Sequence, residues 1–282
     1  MPVGVAINED ELKQVRAKFD VLLKLMEQSL QDEDRILVEK AYDMAVDAHK
    51  YQRRKSGEPY IFHPIEVARI CFEEIGLGPT AVVCALLHDV VEDTPVTLQE
   101  ITETFGPKVS VIVDGLTKLD GTYNTDDVES PQAENFKKVL STLVVDVRVV
   151  LIKMADRLHN LRTIDAQPKH KQLKIAAETE YIYTPLAHRL GLYNIKTEFQ
   201  DICLKITDPE MYQEISHKLS DSDQARSEYI AEFIKPLKEE LQHLGAPFRV
   251  LGRSKAISSI YSKIKNNNVT FEEIFDIFAV RI

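Results

Sequence analysis

Tryptophan is absent from this chain, and aromatic residues fill only 7% of its 282 positions. A surface that stacks successive bases of a single strand needs exposed aromatic rings, so that class is disfavoured. Basic residues are in the minority: 35 Lys and Arg stand against 45 Asp and Glu, for a net charge of −10. Bulk nucleic-acid binding draws on surplus positive charge, so no DNA partner is expected. Any strongly anionic ligand must then be met by a local basic cluster. Long apolar runs are missing too. The longest, Ala81 to Leu87, is far short of the ~18 residues that span a bilayer. The opening MPVGVAINEDELKQ lacks the basic-then-apolar order of a signal peptide, so no membrane association is expected. Cysteine is scarce. Cys71, Cys84 and Cys203 are well separated, sit among apolar neighbours and form no C-x-x-C, as reduced core thiols of a cytoplasmic protein would.

What is present is helical periodicity. Leu12, Val15, Phe19, Leu22, Leu23 and Met26 recur at the spacing of one buried helix face. The pattern predicts helices over 36–50, over 64–75 with Pro64 at its first position and Gly76 as its stop, and over 79–93. Thr97-Leu98-Gln99-Glu100 is a capping box. Further helices are expected over 107–117, 132–163, 170–190, 193–205, 209–219 and 223–244, with Gly191 and Gly245 as stops. Residues 120–131 read as a polar, mobile loop. After Gly245 the pattern changes to a short extended piece (246–251), a helix (254–265) and an apolar run (274–282) that is strand or helix, with nothing after it to serve as a partner. The chain therefore reads as mainly α: an all-helical domain, then the beginning of an α/β domain that is cut short.

Four residues stand out: His63, His88, Asp89 and Asp156. His88 and Asp89 are adjacent near the end of an apolar helix, about 100° apart around its axis, so both reach one ion only over the shoulder between them. Two imidazoles and two carboxylates suit Mn, Fe(II), Zn or Mg with open positions better than a closed structural zinc site. A lone His is more often a satisfied core residue. An adjacent His-Asp pair in an apolar helix is less easily explained that way, because an unpaired buried charge is costly. Glu92 and Asp93 follow one turn later, and Pro95 ends the helix near them. Carboxylates at a helix C-terminus oppose the macrodipole by roughly 0.3–1 kcal/mol each, so a cation or a catalytic role would explain them better than a solvated end.

Asp156, Asn160 and Thr163 fall in one helical column. The last two offer neutral hydrogen bonds of the kind a base or sugar needs. Lys153, Arg157 and Arg162 are close in sequence, and Arg53-Arg54-Lys55-Ser56-Gly57 is a basic loop just before His63. Basic groups beside a metal suit a phosphate-rich substrate, though each alone is also an ordinary solvated charge. His159 is either a partner of a metal ligand or a helix-surface residue.

The order His63, His88-Asp89, Asp156 resembles the HD-domain metal-dependent phosphohydrolases. The segments RKSGEPYIFHP (54–64), LLHDVVEDT (86–94), DGLTKL (114–119), KMADRLHNLRT (153–163) and TPLAHRLG (184–191) resemble one branch, the bifunctional RelA/SpoT homologues that make and degrade the alarmones ppGpp and pppGpp. The resemblance implies an HD hydrolase domain over 1–170, a helical connector over 171–208 and the truncated start of a nucleotidyltransferase-like synthetase over 209–282. It implies that His63, His88, Asp89 and Asp156 hold one Mn²⁺ and that Glu92 and Asp93 position or activate the attacking water. Arg54, Lys55, Ser56, Asn160 and Thr163 would bind guanosine tetra- or pentaphosphate, with Arg54 stacked on the guanine. The implied reaction hydrolyses the 3′-pyrophosphate to GDP or GTP and pyrophosphate. Arg253 and Lys255 match ATP contacts of the synthetase, whose catalytic acid, guanine-binding tyrosine motif and ribosome-associating C-terminal domains come later in the family. Two other readings remain open: an HD phosphatase for another phosphorylated nucleotide, and a non-catalytic alarmone sensor. A complete set of ligands and water-activating acids argues against the second.

Overall fold

The computed structural model describes residues 5–120, 146–221, 223–243, 248–274 and 278–281. Nearly all of the expected 120–131 loop, the first part of the helix expected over 132–163 and the stop at Gly245 lie outside them. The chain divides into two compact units, Met1–Leu192 and Tyr193–Ile282. The division falls inside the segment expected as a connector, so the helices up to Arg189 belong with the first unit and the next helix with the second.

The first unit is helical. α1 (Glu9–Met26) starts in a capping box between Asn8 and Glu11, and buries Val15, Phe19, Leu22, Leu23 and Met26. Leu12, expected on that face, is 41% exposed, because the stripe meets the core only from Val15 onward. α2 (Asp32–Ala48) lays Tyr42 on Phe19, ring centroids 3.9 Å apart and nearly parallel. α3 (Phe62–Arg69) and α4 (Pro79–Leu86) pack on each other at the centre. α1 covers α3, and α2 covers α4.

The apolar run that predicts one helix to Asp93 is in fact broken. α4 ends at Leu86, the chain turns through 87–89, and a single turn, α5 (Val90–Asp93), follows. α6 (Leu98–Phe105) opens in the expected Thr97/Glu100 capping box, and α7 (Pro107–Asp120) follows after Gly106. α8 (Val147–Arg162) packs on α3, α4 and α7, with Asp146 accepting from the Arg148 amide at its N-cap. Gly115 lets α7 approach α8: a Cβ placed there would lie 2.9 Å from Val149 Cγ2. α9 (Lys169–Glu178) and α10 (Thr184–Arg189) are joined by a π-helical turn and end at Gly191 with φ +75°.

The second unit contains α11 (Tyr193–Thr207), α12 (Pro209–Asp221), α13 (Asp223–Gln242) and α14 (Ile257–Asn267). Ile215, Ile260 and Ile274 form its small core. Ala256 cannot cap α14 with a side chain. Asp201 on α11 substitutes, its Oδ1 accepting from the Ser258 amide at 2.8 Å. β1 (Leu251–Ser254) pairs antiparallel with β2 (Phe278–Arg281). Within the late apolar run Phe278–Arg281 is a strand, and its partner, Leu251–Ser254, starts at the last residue of the extended piece expected over 246–251 and reaches the first residue of the helix expected over 254–265. The described fold is mainly α.

Candidate functional site

The turn at 87–89 is what assembles the site. In a continuous helix His88 and Asp89 would diverge; here Leu87 and Asp89 have φ near −100° and ψ near 0°, and both side chains face one point. His88 Nδ1 donates to the Ala85 carbonyl at 2.8 Å, which leaves Nε2 bare. That atom is buried and makes no hydrogen bond, although Asp89 Oδ2 lies 3.0 Å away. His63, from the first turn of α3, places Nε2 at 3.1 Å from Asp156 Oδ1 and 3.7 Å from Asp89 Oδ2. His88 Nε2 is 4.0 Å from Asp156 Oδ1. Ligand atoms of His63, His88 and Asp156 all fall within 4.8 Å of one another.

Adjacent ligands on a cation with bonds of about 2.1 Å stand about 3 Å apart, so the donor types and spacings fit a divalent metal. The electrostatics agree. Burial lowers the His63 imidazole and keeps it neutral. Burial would also lower His88, but Asp89 and then Asp156 outweigh it and push it up to about 9. Burial alone would raise both carboxyls. The His88 imidazole beside Asp89 and the Lys153 ammonium beside Asp156 hold them below the usual range instead.

A cavity of about 450 Å³ opens over these groups. Arg54, Lys55, Glu92, Asp93 and Asn160 line it, as sequence reasoning grouped them. Ser56 is exposed at the tip of its loop and is not among the lining residues. Arg54 does not project into open solvent. Its guanidinium donates to Asn160 Oδ1 at 2.9 Å and Thr163 Oγ1 at 3.1 Å, so three residues expected to grip one ligand hold each other. Asn160 also donates to Asp156 Oδ1 at 2.6 Å. Arg53 serves a structural purpose: it forks onto both Glu11 oxygens at 2.8 and 2.9 Å and reaches the Val5, Ala6 and Gly57 carbonyls, fastening the basic loop to the start of α1.

Four lining residues lay outside the ligand and substrate sets read from the sequence: Arg53, already described, and Tyr60, Lys153 and Gln167. Tyr60 donates to Asp89 Oδ2 at 2.5 Å, and its place in the GEPYIFHP segment was the available signal. Lys153 is only 4% exposed and puts Nζ 3.7 Å from Asp156 Oδ2. Gln167, beyond α8, carries no sequence signal. Away from the cavity wall, Gln52 donates to the Asp93 carbonyl at 2.8 Å and so fixes the end of α5. Arg253 lies in β1 and Lys255 just after it, both in the second unit.

The HD-domain family model matches residues 41–193. The chain is 42% identical over 264 residues to the Escherichia coli bifunctional (p)ppGpp synthase/hydrolase SpoT, covering 94% of this chain and 37% of that protein. It is likewise 42% identical over 253 residues to a Myxococcus xanthus GTP pyrophosphokinase, covering 89% of this chain and 33% of the relative. The chain thus spans about a third of the length of the curated relatives it matches. A solved metazoan orthologue of SpoT, described as hydrolysing ppGpp, aligns with TM-score 0.46 and 24% identity over 59% of this chain and 93% of that one.

Proposed function

From the premise that this chain belongs to the HD-domain family, as a hydrolase region of the RelA/SpoT kind, we propose that it removes the 3′-pyrophosphate of ppGpp and pppGpp. The observation that carries the reading is the convergence of His63, His88, Asp89 and Asp156 beneath a cavity lined by Arg54, Lys55 and Lys153. A mixed imidazole and carboxylate site under a basic wall suits a substrate rich in phosphate. Mn²⁺ is the metal assigned to the four ligands. Bound there, it would supply Lewis acidity toward a phosphoryl oxygen and make water a better nucleophile.

The remaining work belongs to side chains. Glu92 and Asp93 orient the attacking water and take its proton. Lys55 and Lys153 offset the charge of the pyrophosphate. Asn160 and Thr163 present neutral hydrogen bonds to the nucleoside once Arg54 leaves them for the ligand, and Ser56 closes over it from the loop tip. Water adds to the phosphorus attached to the ribose 3′-oxygen, that P–O bond breaks, and GDP or GTP leaves with a 3′-hydroxyl beside free pyrophosphate. Three buried free thiols support a reducing, cytoplasmic setting, and no helix among the described residues is long and apolar enough to cross a membrane. The division into a hydrolase domain (1–170), connector (171–208) and synthetase start (209–282), with Arg253 and Lys255 toward ATP, belongs to the same proposal.

The test is incubation of ppGpp with the metal-loaded chain, products resolved by ion exchange, with Asp156→Ala as the blank. GDP and pyrophosphate in equal amounts are expected. Turnover of other 3′-phosphorylated nucleotides but not ppGpp would replace the substrate. Tight ppGpp binding without turnover would make the chain a sensor.

A further inference from the structure

His159 has no part in the proposed reaction, yet it is nearly buried between two residues that do. Arg54 Nη1 lies 2.9 Å from His159 Nδ1, and His63 Nδ1 lies 2.7 Å from the same atom. The His63 and His159 rings are 4.9 Å apart and tilted by 35°. A guanidinium has hydrogens to give and no lone pair to receive one, so His159 Nδ1 is an acceptor and carries no hydrogen. The short contact between the two imidazoles still needs one hydrogen, which then sits on His63 Nδ1. A neutral imidazole protonated at Nδ1 has its lone pair on Nε2. That is the His63 atom facing Asp156 and Asp89.

We infer that His159 is a positioning residue: it accepts the Nδ1 hydrogen of His63 and thereby holds that ring in the tautomer that offers Nε2 to a divalent cation, while Arg54 fixes the acceptor. The inference rests on the metal reading above. It adds a physical link between the basic loop and the metal ligands. Partners of this kind, acting on a ligand's remote nitrogen, typically change metal affinity 10- to 100-fold.

The experiment titrates Mn²⁺ into the metal-stripped full chain, following free Mn²⁺ by electron paramagnetic resonance, for the parent, His159→Leu and His159→Asn. Asparagine places Oδ1 close to where Nδ1 stood and accepts a hydrogen bond; leucine fills the space and accepts none. His159→Leu should bind Mn²⁺ about 10- to 100-fold more weakly, and His159→Asn should recover most of that loss. A purely structural role would not separate two variants that both lack the imidazole. Equal affinity in all three, or equal loss in both variants, overturns the inference while leaving the metal site standing. A parent that binds no Mn²⁺ removes the metal reading, and this one with it. Should His159→Leu fail to fold, long-range ¹H–¹⁵N correlation in the metal-free parent decides: His63 protonated at Nδ1 is expected, and a hydrogen on Nε2 instead overturns it.

Discussion

Tyr60 gives its phenolic hydrogen to Asp89 Oδ2 at 2.5 Å, beside the cluster of His63, His88 and Asp156. Burial first, and then the Asp89 carboxylate, keep the phenol protonated far beyond neutral pH, so it remains a donor. Tyr60→Phe keeps the ring against His49 and His63 and removes only that hydrogen bond. Mn²⁺ affinity should fall by roughly 10-fold or more, with little change in melting temperature. Unchanged metal content after dialysis would show that Tyr60 does not orient Asp89.

Glu92 and Asp93 line the cavity but stand outside the cluster that converges on one ion. The double change Glu92→Gln and Asp93→Asn should leave Mn²⁺ bound and ppGpp affinity equal or slightly improved. Turnover should fall by at least ~100-fold, the usual weight of proton handling. Metal content, equilibrium binding and hydrolysis on one preparation check this. Hydrolysis near the parent rate would return the two acids to the status of a solvated helix end. Loss of the metal would move them into the ligand set.

A Cβ at Gly115 of α7 would meet Val149 of α8, the helix that carries Asp156. Gly115→Ala drives a methyl into Val149 Cγ2 and should destabilise the chain by about 1–3 kcal/mol, the typical cost of overpacking. Val149→Ala makes room, so the double variant should be more stable than the sum of the two single changes requires. Denaturant midpoints measure both. Additive effects would mean that the helices simply move apart.

The Arg53 guanidinium, followed by the Asn8 amide, lowers the Glu11 carboxyl to about 2 from an ordinary value near 4.5. A group lowered on folding stabilises above its unfolded value and loses that contribution as pH falls through the folded one. The parent should therefore lead Glu11→Gln in stability at pH 5, and the gap should close between pH 4.5 and 2. Salt should narrow it as well, because the pair is partly exposed. Parallel acid-unfolding curves for the two proteins would count against the clamp.

The residue types of the site were legible because few neutral explanations exist for His88-Asp89 in an apolar run, or for Asp156, Asn160 and Thr163 at helical spacing. The break in the helix at 87–89 was not. The apolar residues before and after it satisfy a helical pattern equally well, and only the demand that two side chains meet one point distinguishes the turn. Arg53 and Arg54 look alike in sequence, yet one clamps Glu11 and the other lies on Asn160 and Thr163. Their destinations are 42 and 106 residues away along the chain, beyond the reach of local patterns. The pairing of the second strand escaped for the same reason, since its partner precedes it by a whole helix.

Asp156, His159 and Asn160 lie in α8 and Thr163 caps its end, and that makes α8 a ruler. At 1.5 Å per residue, the four steps from Asp156 to Asn160, both of which line the cavity, set about 6 Å between the proposed metal ligand and the proposed nucleoside contact. A helix held on one face by α3, α4 and α7 does not stretch. Selectivity then need not reside in any single contact. A ligand whose scissile phosphorus lies at the wrong span from its base can satisfy one end of the scale or the other, but not both together.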